Sequence, residues 1–342
     1  NPNITWETNT NFNAGVDFDF FAGRLSGSAE YFYRHTSDML YFFPTPLSLG
    51  YSGYYDNVGD MRNSGVEVSL NGTVMRKKNF NWDIYLNFTH FTNKVLSIPG
   101  QNKTKNIEGY DGFQSGNYFF GEGLPLNTFL LQKYAGVDRN TGESLWYKDV
   151  LDSEGNVTGR TTTKDYTQAT YYLCDDPTAK LYGGFGTNLA FFGFDVSVAF
   201  TYSIGGVSMD GGYAGLVSSP QGTSTGGNIH RDVMEKAWTP ENPDADFPRW
   251  QYGDQYSAGM SDRFLTDASY LNLQNAQIGY TFPEKLIKRI HLSRLRLYVS
   301  CDNVIYWSRR NGFDPRYSFT GTTNSVSNSP VRTLSGGINI TF

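Results

Sequence analysis

The sequence predicts an all-β chain forming part of a transmembrane antiparallel β-barrel, and three observations carry that expectation. Apolar and polar residues alternate with period two in segments near the length needed to cross an outer membrane, about 9–11 residues. Short turns at one end of these segments alternate with long loops at the other. Finally, the chain is rich in aromatics (16%, with 25 Phe and 24 Tyr) and has 37 Gly, yet its mean hydropathy is −0.46. It contains no apolar run of about 18 residues, which excludes helical spans. A barrel keeps such a hydropathy because only alternate residues of each strand meet lipid.

The elements follow in order. Ala14, Val16, Phe18 and Phe20 alternate with polar or small neighbours; after a turn at Ala22 and Gly23, Leu25, Gly27, Ala29, Tyr31 and Tyr33 do the same, giving a hairpin. A second hairpin pairs Val66, Val68, Leu70, Gly72 and Val74 with Trp82, Ile84, Leu86 and Phe88 across a turn at 76–79. A third runs from Gly183 to Phe191, turns at Phe192 and Gly193, and returns through Phe194, Val196, Val198, Phe200 and Tyr202. Three more strands cover Tyr270 to Phe282, with a phase shift near Asn275 that predicts a bulge, then Leu295 to Cys301 and Leu334 to Phe342. Thr128 to Val137 and Ser144 to Lys148 read as two additional strands, giving about eleven in all. Eleven is odd, whereas bacterial single-chain barrels have even numbers. Residues 1–342 are therefore expected to be the C-terminal half of a barrel, unable to close on itself, with the remaining strands supplied by an N-terminal half. The start at Asn1 rather than Met, with no signal peptide, reads as an internal start or a processed product.

Net charge is −5, and the only basic run is the short Arg76, Lys77, Lys78 stretch, so nucleic acid is not an expected partner. Cys174 and Cys301 fit neither a disulfide framework nor a metal motif, and the four histidines are scattered. Phosphate-binding and nucleophile-elbow motifs are missing, no cofactor is implied, and the chain does not read as an enzyme. Asp152, Glu154 and Asn156 suggest a polar turn; Val150 stands where an EF-hand loop needs a ligand. Asn228 to Ala237 reads as a short helix in a long loop, with Ile229, Val233 and Met234 on one face and Pro240 beyond its end. Lys285, Lys288 and Arg289, in a helical turn at 283–291, are placed at the periplasmic rim near lipid headgroups.

The last residues, Gly337 to Phe342, carry apolar side chains at Ile338, Ile340 and Phe342 and resemble the terminal strand read by the outer-membrane barrel-assembly machinery. Further segments resemble the C-terminal half of SusC/RagA-like TonB-dependent transporters of Bacteroidetes. They are NPNITWE at 1–7, NVGDMRN at 57–63 with GVEV at 65–68, and YAGVD at 134–138. GGFGTN at 183–188, GFDVS at 193–197, WTPENP at 238–243 with Pro248 and Arg249, DASYL at 267–271, and YVS at 298–300 with Asp302 and Asn303 complete the series. Cys301 departs from it, standing where Gly is more usual. The resemblance implies a barrel of about 22 strands in a Gram-negative outer membrane, with a plug and a TonB-coupling motif in the N-terminal part. It also implies a SusD-like surface lipoprotein acting as a lid, and an oligosaccharide or a peptide as the imported nutrient.

Within the long loops, Tyr51, Tyr54 and Tyr55 and, separately, Trp250, Tyr252 and Tyr256 are the substrate-contact candidates, because aromatic faces give rigid, amphipathic contact area. Trp238, Pro240, Asn242 and Arg249 are the lid-docking candidates. Two other classes compete. A passive porin or structural barrel would share the strand pattern but lack the segments above, and a secreted carbohydrate-binding β-sandwich would turn its apolar stripes into a core.

Overall fold

The computed structural model describes residues 4–44, 48, 50–220, 227–257, 259–318, 320–323 and 330–342. Residues 1–3 of the NPNITWE segment, 45–47 and 49 of loop 37–60, 221–226 and 258 of loop 203–264, and 319 and 324–329 of loop 306–329 lie outside the described residues.

Nine strands form one antiparallel sheet in sequence order: β1 (Thr8–Phe20), β2 (Leu25–Ser37), β3 (Asp60–Lys77), β4 (Phe80–Ser97), β5 (Leu181–Phe191), β6 (Phe194–Ile204), β7 (Tyr270–Thr281), β8 (Arg294–Ser308) and β9 (Thr333–Thr341). The three predicted hairpins are present, and the register of β7 shifts between Leu273 and Asn275, as the phase change required. Among the described residues, β1 and β9 each leave one edge unpaired. The β1–β2 turn closes tightly because Phe21, Ala22 and Gly23 take positive φ while the Asp19 carboxylate accepts from the Gly23 amide at 2.8 Å.

The pairing converts local alternation into two continuous faces. Phe18, Gly27, Leu70, Leu86, Phe185, Phe200, Leu273 and Ile305 stand opposite one another across eight strands. One residue along each strand, the row reads Asp17, Ser28, Ser69, Asn87, Gly184, Thr201, Asn272 and Tyr306. Successive strand residues point to opposite sides, so one face is apolar and the other polar. Near the short turns the apolar face ends in a line of Phe80, Phe191, Phe194, Tyr280, Leu297 and Ile338. An aromatic border to an apolar band is what a membrane interface selects. No helix is long and apolar enough to cross a membrane among the described residues.

The count of about eleven membrane strands needs correction to nine. Thr128–Gln132 pairs with Tyr118–Gly121 and Tyr171–Leu173, while Tyr134–Val137, Ser144–Leu151 and Val157–Thr163 form another small sheet. All five residues of Thr128–Gln132 are buried, which is the signature of a strand inside a water-excluded core and too short to span a bilayer. Most of the large buried side chains lie in this loop body, with Phe32, Val95 and Asn272 as exceptions on the membrane sheet. One cluster gathers Phe129, Leu131, Met209, Val217, Val233 and Phe264; a second gathers Val58, Val95, Ile98, Phe113 and Phe120. A residue such as Phe129 or Phe119, fully buried, contributes about 1.5–3 kcal/mol relative to exposure. The long loops are thus folded structure mounted on one end of the sheet.

The segment read as helical over 228–237 forms a shorter helix, α1 (Arg231–Lys236). Of its expected face only Val233 enters the core; Met234 and Ile229 are exposed, since fewer than two turns present a single side chain inward. Gly59, in the NVGDMRN segment, has φ +115°, and a Cβ there would collide with the Ser97 carbonyl. Beside it, the Asn57 side chain donates to the Thr5 and Asp38 carbonyls at 3.1 and 2.6 Å and accepts from the Thr5 amide at 2.9 Å.

Candidate functional site

The long-loop end presents aromatic residues on two separate cores. The hairpin Leu40–Pro44/Gly53–Asn57 carries the first group. Its alternation sends Tyr41 and Phe43 onto the cluster of Phe113 and Phe120, and turns Phe42 and Tyr55 the other way. Tyr54 stacks on Phe43 with ring centroids 5.7 Å apart, and Tyr55 meets Phe42 edge-on at 5.2 Å. Tyr51, Tyr54 and Tyr55 all remain exposed, held by packing beneath them.

The second group divides. Trp250 and Tyr252 are exposed, Tyr252 at 64%. Tyr256 instead packs between Trp146 and Tyr166, with centroids 6.1 and 6.2 Å away, and Trp146 is 1% exposed. Tyr166 donates to the Met260 carbonyl at 2.6 Å, and burial pushes its hydroxyl pKa up to about 12, so it stays a neutral donor. Tyr118 packs against both buried clusters.

Of the four residues expected to dock a lid, two are turned inward. The Trp238 indole donates to the Arg139 carbonyl at 3.0 Å. Arg249 makes a two-pronged bond to Asp254 at 2.9 and 2.8 Å, donates a third to the Thr141 carbonyl at 3.0 Å, and its amide donates to the Gly142 carbonyl at 2.7 Å. Together they clamp the turn Asp138–Glu143. Pro240 and Asn242 are left exposed on a tight turn closed by the Asn242 amide donating to Thr239.

Sequence reasoning missed the charges that surround this clamp. Lys164 reaches Asp138 at 2.9 Å and Glu143 at 2.6 Å, and Arg249 stands 3.7 Å from Glu143. Hydrogen bonds from the Lys164 ammonium hold both carboxyls below their ordinary range, and the same contacts raise Lys164. The adjoining cavity, about 250 Å³ and lined by Glu143, Lys164, Asp254 and Tyr256, is smaller than the roughly 300–1,000 Å³ usual for ligand pockets. The polar run Asp138 to Glu143 signals a turn, but its partners lie more than twenty residues away in Lys164 and over a hundred away in Arg249, and spacing carries no trace of them.

Asp152 closes a hairpin tip by accepting from the amides of Glu154 and Asn156 at 2.9 and 2.8 Å. No three His, Cys, Asp or Glu side chains converge on a metal position among the described residues. On β9, Ile340 and Ile338 stand opposite Leu295 and Leu297, and Ser293 donates to the carbonyls of Thr341 and Phe342 at 3.1 and 3.2 Å. The Phe342 ring is exposed.

A family profile described as TonB dependent receptor-like, beta-barrel matches residues 1–304. The TonB-dependent receptor P3 of Formosa agariphila is 28% identical over 369 residues, which cover 100% of this chain and 35% of that protein. The TonB-dependent receptor SusC of Bacteroides thetaiotaomicron is 26% identical over 323 residues, covering 92% of this chain and 30% of its own. Among solved structures, the RagAB peptide transporter superposes with a TM-score of 0.82 at 27% identity, covering 100% of this chain and 36% of that one. The RagAB peptide importer in its open-open state gives a TM-score of 0.78 at 26% identity, covering 100% of this chain and 35% of that one. The chain thus spans only about a third of the length of the relatives it matches.

Proposed function

This chain belongs to the TonB-dependent receptor-like β-barrel family, a family of outer-membrane proteins, and from that premise we propose that it forms the C-terminal part of an importer for an oligosaccharide or a peptide. A plug and the remaining strands come from an N-terminal part, which TonB engages. Nutrient is captured at the loop body and passes along the polar face of the sheet, and no catalytic step is assigned to the chain. The observation that carries this reading is the folded loop body at one end of the membrane sheet, with Tyr51, Tyr55, Trp250 and Tyr252 exposed on it. The neighbouring RagAB structures are described as a peptide transporter and importer, which favours a peptide.

A SusD-like lipoprotein is proposed to dock on the exposed turn at Pro240 and Asn242, with Trp238 and Arg249 fixing the path beneath. Deleting 228–250 would also remove Val233 from the core, so point changes are the cleaner probe. The test uses the full-length protein in its own cells. Replacing Tyr51, Tyr55, Trp250 and Tyr252 with Ala is expected to lower uptake roughly tenfold or more at unchanged surface level, equivalent to a loss of about 1.4 kcal/mol or more. Pro240→Glu with Asn242→Arg is expected to reduce lid co-purification. Uptake that persists undiminished when TonB is removed would favour the passive porin instead.

A further inference from the structure

The turn between β7 and β8 is built as a membrane-interface element. After Pro283, α2 (Glu284–Ile287) continues into a 3-10 turn at Lys288–Ile290. Ile287 is buried and its carbonyl accepts from the Leu292 amide at 3.2 Å, which pins the helix to the sheet end. Leu286 and Ile290, four residues apart and hence on one face, are 61% and 60% exposed. Lys285 and Arg289, again four apart, form the neighbouring stripe, and both are exposed. Lys288 is engaged by Glu284 at 2.7 Å. Arg294, at the start of β8, shares the strand parity of Arg296 and so belongs to the polar face, but 284–291 alone holds Lys285, Lys288 and Arg289 against one carboxylate in a chain of net charge −5.

The order of side chains leading to this turn is the second observation. Phe191, Phe194, Tyr280 and Phe282 touch in series, with centroids 5.5, 4.6 and 5.0 Å apart, at the border of the apolar face. Apolar band, aromatic border, then a short helix with an aliphatic stripe beside a basic one is the sequence of environments from hydrocarbon to headgroup. Two large aliphatic side chains left open to water would have no such explanation.

We propose that Lys285 and Arg289 form a binding site for the phosphate of an anionic phospholipid in the periplasmic leaflet, with Leu286 and Ile290 resting against its acyl chain. The proposal rests on the membrane placement of the sheet and is independent of what is imported. The basic stripe supplies charge-assisted hydrogen bonds to phosphate, and the aliphatic stripe continues the lipid-facing surface without a break.

The test places the full-length protein in phosphatidylcholine vesicles with a trace of photoactivatable phosphatidylglycerol or, separately, photoactivatable phosphatidylcholine, and maps labelled peptides by mass spectrometry. Expected is a severalfold excess of phosphatidylglycerol labelling over 284–294, abolished by the double change Lys285→Gln and Arg289→Gln. Labelling of Val196 and Ile278 by both probes verifies the folded, inserted barrel. In the unaltered protein, salt near 1 M, where the screening length is about 3 Å, should erase the preference, which keeps the test independent of whether the variant folds. Equal labelling of 284–294 by the two probes, or a preference that survives both salt and substitution, overturns the site. Failure of either probe to label the Val196 and Ile278 stripe would overturn the membrane placement and the site with it.

Discussion

Gly142 occupies the centre of the loop clamp, with φ +73°, and a Cβ added there would collide with the Trp238 indole and stand 2.9 Å from Cβ of Arg249. Gly142→Ala is expected to cost roughly 2–5 kcal/mol of local stability, from about 1–2 for a left-handed backbone and about 1–3 for overpacking. Amide exchange should then rise in 138–143 and 238–250 while β5 and β6 keep their protection; unchanged exchange in those loop segments would refute the clamp. The same residues mark how far a sequence speaks at this scale. Trp238 and Arg249 were expected to dock a lid, and residue type does not reveal that an indole and a guanidinium turn inward to hold a distant turn. Tyr256 likewise resembles Tyr252 in sequence and differs from it in having Trp146 and Tyr166 beside it.

At the scale of the element, period-two alternation was enough to locate every strand of the membrane sheet, because a strand with lipid on one side and water on the other must alternate. It failed for Thr128–Gln132 and its neighbours, where burial on both faces removes the need to alternate and a β-rich segment can belong to either kind of sheet. Register supplies what alternation lacks. Val198 stands opposite Thr187 and Ala276 in a row that also holds Ile84 and Cys301, which assigns it to the apolar face. Val198→Arg is expected to cost about 2–4 kcal/mol if it lies near the bilayer midplane, against little for a change at its neighbour Ser197 on the opposite face. Equal losses of folding stability at the two positions, measured by denaturant titration in vesicles, would reverse the assignment of faces.

For the whole molecule, the decisive feature is a sheet with nine ordered strands and two edges. A membrane sheet satisfies its backbone only by closing, because hydrocarbon offers no partner for an unpaired amide or carbonyl. Each edge strand here is long: β1 has 13 residues and β9 has 9, and their outward side chains include Phe12, Val16, Phe20, Leu334, Ile338 and Ile340. Soluble proteins blunt such edges with charge, proline or bulges, and neither β1 nor β9 contains proline or a register shift along its pairing. Unpaired edges of this kind are what the proposed N-terminal part would have to cover, and the relatives are about three times as long. Produced alone and refolded into detergent or vesicles, residues 1–342 are expected to aggregate or associate through β1 and β9, whereas the full-length protein gives a heat-modifiable band on electrophoresis. A monodisperse, heat-modifiable barrel from this chain by itself would show that the two edges can meet each other, and would remove the need for an N-terminal half.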